Sequence, residues 1–385
     1  MHWRNLLPVT AALALLAGVA ILADEKKPAD GAGPAIKVSG PFSHANLSIF
    51  LLHGKDTMPA GHSLLTLQEA LEQKKAVVHE TSNVNELSIE NVSADMDVFV
   101  QSGDIVRGGK QDRLMACDMI VPPKSGKIPI ASFCCESGRW QQRGGENAAA
   151  FGESSKQAAN KDVKLAVNAA RDQGQVWQRV KESQQKLQMN VGKSVANKAS
   201  PTSYQLSLED KELMAKLAAY ESELKKVIDA KDDVIGFVIV INGKVEGAEV
   251  YGSSALFRKL WPKLINAAAV DALSELKKDA KFAAATAKDV EKFLADAEQG
   301  KQSEVVVNRS NGRDRQALNP APNADRQSQT SQPPSAQAPA SPSAPANSPN
   351  ARLALLQRDG DKILMLESKD KKAGNAVVHR SYIAK

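Results

Sequence analysis

The sequence lacks the residue patterns that identify most metal centres and most nucleophilic hydrolases. It has six histidines and three cysteines, and none of them falls in an HExxH motif or in the paired Cys/His spacing of a zinc site. No Gly-x-Ser-x-Gly elbow occurs either. We therefore predict no metal and no cofactor, and no motif of this kind names a reaction.

Aromatic residues and long apolar runs are also scarce. With aromatics at 4% of the chain, Trp140 and Trp177 are better explained as core residues than as stacking platforms. A single run, residues 6–22, approaches the length of a membrane span. It follows a weakly basic start and precedes Ala23, which favours a cleaved export signal over residues 1–23. An uncleaved membrane anchor is the alternative, and the predicted location is secreted or periplasmic.

Charge excludes one class of partner. The formal net charge is +6, but Lys and Arg alternate with Asp and Glu along the predicted helices. Nucleic-acid-binding proteins usually gather their basic residues on one face or in one tail. We therefore predict no nucleic-acid partner, and no oligomeric state follows from the sequence.

Composition divides the chain into five segments, of which the predicted signal of residues 1–23 is the first. Residues 24–40 are rich in Lys, Ala, Gly and Pro and are predicted to form a flexible spacer. Residues 308–350 consist mostly of Pro, Ala, Ser, Gln and Asn and are predicted to be disordered. Between them, residues 41–307 form the predicted main domain. Residues 351–385 regain apolar patterning, so we expect one or two strands that pack back on that domain.

The predicted fold class is α+β in one composite domain. The first half is β-rich, with a central hairpin of residues 114–121 and 128–135, and the middle is helical, with a break near Gly174. Ser207 and Asp210 form a capping-box pattern before the next predicted helix. Asn242-Gly243, between two apolar runs, predicts a second hairpin. Further helices should begin after Ser253 or Ser254 and after Thr286.

Two polar clusters flank the predicted central hairpin. Residues 103–113 read GDIVRGGKQDR and residues 136–140 read ESGRW. Hairpin geometry brings the flanks of two paired strands together, so we expect both clusters to share one surface patch. The predicted ligand-binding residues are Arg107, Gly108, Gly109, Lys110, Gln111, Arg113, Arg139 and Trp140.

The cluster motifs carry a family resemblance. GGKQDR at residues 108–113, VPPKSG at 121–126 and CCESGRW at 134–140 resemble the ARG-and-rhodanese-phosphatase-superfamily-associated domain family, the first of the two domains of that name. The resemblance covers roughly residues 42–277. The family has no established activity, and its name records an association with ADP-ribosyl-glycohydrolases. The resemblance therefore implies an ADP-ribose-like or other NAD-derived ligand by association alone.

The cluster supports three interpretations of function. Guanidinium groups bind phosphate or carboxylate through two parallel hydrogen bonds, which favours a binding or interaction module of the cell envelope for an anionic small molecule. The alternative is a hydrolase or transferase that uses Asp104 or Glu136 as acid or base. In the third interpretation, acidic residues of the clusters neutralise the arginines in structural ion pairs.

The cysteines suggest one covalent link. A symmetric loop centred between Ser125 and Gly126 sets Cys117 opposite Cys134, within disulfide reach. The neighbouring prolines leave that register open. For Cys134, a structural role is favoured over a nucleophilic one, because no partner histidine can be assigned.

Overall fold

The computed structural model describes residues 36–152, 158–278, 280–305 and 352–385. The predicted signal of residues 1–23 and the predicted disordered segment of residues 308–350 lie outside these ranges. The predicted spacer lies partly inside them, and its last residues are not a spacer: the first strand begins at Lys37.

Strands and helices alternate in blocks along the described residues. The strands are β1 (Lys37–His44), β2 (Leu47–His53), β3 (Leu64–Thr66), β4 (Ala76–Asn83), β5 (Glu86–Asn91), β6 (Asp97–Val100), β7 (Ile105–Val106), β8 (Arg113–Met115), β9 (Met119–Val121), β10 (Lys127–Cys134), β11 (Val234–Ile241), β12 (Lys244–Tyr251), β13 (Lys301–Glu304), β14 (Leu353–Asp359), β15 (Ile363–Asp370) and β16 (Ala376–Ala384). The helices are α1 (Leu67–Glu72), α2 (Lys161–Leu165), α3 (Gln173–Val191), α4 (Tyr204–Leu208), α5 (Lys211–Leu224), α6 (Ser254–Ser274) and α7 (Ala287–Glu298). The predicted α+β class is confirmed.

An eight-stranded antiparallel sheet forms the centre of the fold. Its order is β1-β2-β11-β12-β16-β15-β14-β13. Strand β11 is apolar along its whole length because both of its faces are covered. On one face, Phe237 packs beside Phe257 and Trp261 of α6. On the other face, Val238 packs in a cluster with Val290 and Phe293 of α7.

The part of the chain between β2 and α2 forms two smaller sheets, with the strand orders β4-β5-β10-β8-β7 and β3-β6-β9. The predicted central hairpin is only partly correct. Strand β8 pairs with β10, but the chain then turns at Cys117 and Asp118, and β9 pairs with β6 in the other sheet. The predicted strand of residues 114–121 is therefore two short strands, β8 and β9. They pack in the same core but pair in different sheets.

Turn and capping residues in the sequence correctly predicted several of the later elements. Asn242 and Gly243 have φ values of +53° and +78°, which the tight turn between β11 and β12 requires. Ser253 caps α6, and Thr286 caps α7 in a capping box. The Ser207 capping box was wrong, because Asp210 itself caps α5 by accepting from Glu212 N and Leu213 N.

The predicted break near Gly174 lies three residues earlier. Residues Ala166–Ala170 form a π-helical turn between α2 and α3, and Arg171 ends that turn with φ of +52°. Asp172 then caps α3 by accepting from Gln175 N. Turns of this kind expose backbone and side chains irregularly and often lie at functional sites.

The C-terminal strands lie inside the large sheet and not at its edge. Strand β16 pairs with β12, and β14 pairs with β13. The segment contributes three strands, where the sequence predicted one or two. Among the described residues, no helix has the length and apolarity needed to cross a membrane.

Candidate functional site

Two buried carboxylates organise the polar clusters at the end of β8 and β10. Asp112 receives two hydrogen bonds from the Arg143 guanidinium, at 2.8 and 2.9 Å, and a third from Ser203 Oγ at 2.6 Å. Glu136 receives two from the Arg139 guanidinium, at 2.7 and 2.8 Å. The Asp112 amide donates to Glu136 Oε2 at 2.9 Å, which joins the two pairs. Both carboxylates are fully buried.

We call this set the motif network; its members are Asp112, Glu136, Arg139, Arg143, Ser200 and Ser203. Ser200 Oγ donates to Glu136 Oε1. Arg139 also donates to the carbonyl oxygens of Gly108 and Gly109, at 3.2 and 3.1 Å. These contacts fix the GGK turn on the returning strand. The network therefore closes on itself, with each carboxylate and guanidinium held by a neighbour.

The structure gathers most of the predicted ligand-binding residues around this network but buries several of them. Gln111 donates to Glu136 O at 3.1 Å. Arg113 is fully buried, donates to Cys134 Sγ at 2.7 Å and lies 3.5 Å from Glu80 Oε2. The side chains of Arg113 and Arg139 thus have internal partners, and their binding of an anion stays a prediction.

Other predicted residues keep exposed surface. Arg107 is 36% exposed and pairs with Glu146 at 2.6 Å and Glu209 at 2.8 Å. Trp140 is 43% exposed, with Lys110 Nζ 5.3 Å and Arg113 Cζ 5.5 Å from its ring centroid. The surface role of Arg107, Lys110 and Trp140 stays a prediction.

Asp104 lies apart from the patch in which it was predicted. It is buried and forms an ion pair with Lys263 of α6. Its other oxygen accepts from the Gln101 amide at 3.1 Å. Neither Asp104 nor Glu136 is an unpartnered carboxylate, and the role of either as acid or base stays a prediction.

The predicted Cys117–Cys134 disulfide is wrong for this structure, in which all three cysteines are free thiols. The register places Arg113 opposite Cys134, because the two strands pair four residues away from the symmetric register. Burial is the main cause that raises the pKa of Cys117 to about 12 and that of Cys134 to about 11. These thiols are therefore protonated and weak nucleophiles.

A cavity of about 480 Å³ lies beside the motif network, between the C-terminal strands and the helical segment. Its apolar lining comes from two parts of the chain: Ala116, Ala131, Phe133, Val167 and Val305 from the main body, and Leu355, Leu356 and Leu366 from the C-terminal strands. Polar side chains line the remainder, among them Ser102, Asp118, Lys164, Asn168, Arg171, Ser368, His379 and Ser381.

The motif network supports one wall of this cavity. Gln173, the first residue of α3, accepts from the Cys134 amide and donates to its carbonyl oxygen, both at 2.8 Å. Trp177, one turn later, donates to Glu136 O at 3.0 Å. Helix α3 is thereby fixed to the end of β10, the strand that presents Ala131 and Phe133 to the cavity.

A second buried ionic set borders the cavity, and we call it the His379 network; its members are Asp118, Lys164, Glu249, Ser368, His379 and Ser381. The imidazole lies between two carboxylates, 2.8 Å from Asp118 and 2.7 Å from Glu249. Lys164 Nζ lies 2.6 Å from Glu249. Ser368 Oγ donates to Asp118, and Ser381 Oγ donates to Glu249.

Electrostatics within the His379 network keep the imidazole charged. Burial alone would lower the pKa of His379, but its two carboxylate neighbours outweigh burial and raise that pKa to about 9. Burial opposes ionisation of Asp118 and Glu249, yet His379 holds the pKa of Asp118 below its usual range, and Lys164 and His379 do the same for Glu249. With both ring nitrogens bonded to carboxylates, His379 has no free lone pair for general-base catalysis.

Sequence reasoning missed every ionic member of the His379 network. Each is an isolated polar residue in its own segment, and no spacing connects them. His379 lies in no motif, so the sequence alone gives it no role. Among the described residues, no group of three or more His, Cys, Asp and Glu side chains has the arrangement of a metal site.

Comparison with known proteins identifies the family. The model of the ARG and Rhodanese-Phosphatase-superfamily-associated Protein domain, ARPP-1, matches residues 35–325. No curated protein and no solved structure matches the chain. The matched region contains the motif network and one side of the cavity, while β14–β16 follow it in the chain. Because the match covers most of its length, this chain belongs to the ARG and Rhodanese-Phosphatase-superfamily-associated Protein domain family.

Proposed function

We propose that the protein is a ligand-binding module and that its ligand is a small amphipathic molecule held in the cavity beside the His379 network. The observation that carries the proposal is the cavity itself, about 480 Å³ with apolar side walls and a polar end. Sites for small molecules are concave and mostly apolar, with a few placed polar groups, and occupy roughly 300–1,000 Å³.

The charges around the cavity favour a ligand without a large net charge. Lys164 and His379 are cationic, but Asp118 and Glu249 neutralise them at hydrogen-bond distance. A ligand would therefore gain hydrogen bonds to serine, asparagine and amine groups, and apolar contact, more than net Coulomb attraction.

The motif network supports the proposal as a scaffold. Its carboxylates and guanidinium groups are buried and paired, whereas the cavity is open to a ligand of modest size. An enzymatic role through Asp104 or Glu136 has no comparable support, because both carboxylates have buried partners. An exported location in the cell envelope is part of the proposal and is supported by the apolar run of residues 6–22.

The test compares three octyl compounds that share a chain and differ in head group: octyl β-glucoside, octanoate and octyltrimethylammonium. Calorimetric titration should detect binding of octyl glucoside below its micelle concentration, more tightly than binding of either ion. AMP and ADP-ribose serve as the anionic arm that the family resemblance implies. If AMP or ADP-ribose binds and no octyl compound does, the apolar-cavity proposal is overturned.

A matched pair of variants locates the site. Ala131→Phe places a ring in the cavity and should weaken binding by at least about tenfold. Ala218→Phe makes the same change at an exposed position of α5, which does not line the cavity, and should leave the affinity unchanged. Equal affinity in both variants, with both proteins folded by circular dichroism, would contradict a site in this cavity.

A further inference from the structure

The cavity is assembled from two parts of the chain that are distant in sequence. Ala116, Phe133 and Val167 of the lining come from residues before 306. Leu355 and Leu366 of the lining come from residues 352–385, which we call the C-terminal unit. A molecule in the cavity therefore contacts both parts at once.

The C-terminal unit is built into the large sheet through two ladders. Strand β16 pairs with β12 from Tyr251↔His379 to Gly247↔Ile383, and β14 pairs with β13. Val378 and Tyr382 are buried against the main body. Arg352 adds an ion pair to Asp97 at 2.8 Å.

The His379 network supplies two buried ion pairs across this junction. His379 and Ser368 of the C-terminal unit bond to Asp118, and His379 and Ser381 bond to Glu249. Lys164, Phe99 and Tyr251 complete the surroundings of the imidazole. Without the C-terminal unit, Asp118 would lose its cationic partner, although Lys164 would still neutralise Glu249.

Packing across the same junction is incomplete where the cavity lies. Protein interiors are normally packed to near-crystalline density, and a gap forfeits the contacts of the side chains that line it. Here Leu355 and Leu366 of the C-terminal unit and Phe133 and Val167 of the main body line the same cavity. A ligand in the cavity would therefore add contacts to both parts of the chain.

We propose that ligand binding in the cavity and docking of the C-terminal unit form one coupled equilibrium, in which the ligand fastens the unit to the main body. This inference rests on the proposed function. A ligand that binds the docked state and not the undocked one shifts the equilibrium by the factor 1 + [L]/Kd. At a ligand concentration of 100 Kd, opening of the C-terminal unit should become roughly 100-fold rarer.

Hydrogen exchange on the intact chain, with and without octyl glucoside at saturation, tests the coupling. The amides of residues 382–384 lie in β16 beyond the cavity-lining residues, so ligand contact alone does not protect them. We expect their exchange to slow by roughly 100-fold while the amides of α5 exchange at an unchanged rate. Unchanged exchange in β16, or equal slowing in β16 and α5, would overturn the inference.

A second measurement uses the full chain with a protease recognition sequence placed within residues 320–340. After cleavage, both fragments are present, and their dissociation under mild urea is followed by size-exclusion chromatography. Octyl glucoside should lower the fragment dissociation constant at least tenfold. If the intact chain binds octyl glucoside but fragment affinity does not change, the coupling is overturned and the proposed function stands. If the intact chain does not bind it, both are overturned.

Discussion

The two buried ionic networks of this protein are built from similar groups but differ in origin and surroundings. The charged members of the motif network come from one stretch, residues 112–143, and its carboxylates are closed off by arginine and serine donors. The charged members of the His379 network come from four separate segments, and three of them, Asp118, Lys164 and His379, line an open cavity. The charged residues that cluster in the sequence thus form the scaffold, whereas the charged residues scattered along the sequence form the candidate site.

The difference follows from what each network must do. Paired buried charges are costly to desolvate and are tolerated when geometry and hydrogen bonding are complete. In the motif network, the paired charges fix a turn and two strand ends, and the neighbouring Gln173 and Trp177 fix α3. In the His379 network, the charges are also paired, but most members of the network line the cavity. Their hydrogen-bonding groups can therefore contact a bound molecule.

Removing one carboxylate of the motif network should have the largest effect on stability. Arg143 keeps Glu146 at 3.0 Å, but Asp112→Asn removes a buried charge that accepts four hydrogen bonds, and this loss costs about 3–5 kcal/mol. Urea unfolding should show that loss. The control is Asp296→Asn in α7, whose pair with Lys292 is exposed and should change stability by less than about 0.5 kcal/mol.

The same variant also tests whether the motif network is a scaffold and not a functional site. If Asp112→Asn stays within about 1 kcal/mol of the parent yet weakens octyl glucoside binding at least tenfold, the motif network is a functional site and not a scaffold.

The His379 network should give a smaller, pH-dependent effect. His379 has a pKa of about 9 when folded and an ordinary value near 6.5 when unfolded, so its stabilising contribution is complete below about pH 6.5. Between those two values the native state holds one more proton than the unfolded state, and stability falls as pH rises. The total loss through about pH 9 should be roughly 2–4 kcal/mol.

Urea unfolding from pH 7 to pH 9 measures this slope. Burial raises the pKa of Asp271 to about 7, so this carboxyl group titrates mainly at the lower end of the range and below it. His379→Gln should be less stable at pH 7 and should lose most of the slope that the parent shows. Unfolded cysteines also titrate near pH 8.5, and subtracting the His379→Gln profile removes their contribution. Parallel profiles for the two proteins would show that His379 is not held as a cation.

Features encoded within a few neighbouring residues were predictable from the sequence, and features that need distant partners were not. Asn242-Gly243 predicted its turn because positive φ at two adjacent residues is a local requirement. The divergence of β8 and β9 after Cys117 could not be predicted, because both strands are apolar and nothing local distinguishes one ladder from two. The cavity could not be predicted either, since its sides meet only when β16 pairs with β12.

The smallest effect should come from the exposed part of the cluster. Trp140→Ala removes a ring that lies over Lys110 and Arg113, contacts that contribute about 0.5–1 kcal/mol at exposed sites. Octyl glucoside affinity should change less than about twofold, because Trp140 does not line the cavity. The sequence-based hypothesis of a surface site predicts a different result. In that case AMP or ADP-ribose would bind, and both Trp140→Ala and Lys110→Ala would weaken that binding at least tenfold. Titration of the three proteins with these nucleotides therefore decides whether the exposed edge of the scaffold has a ligand of its own.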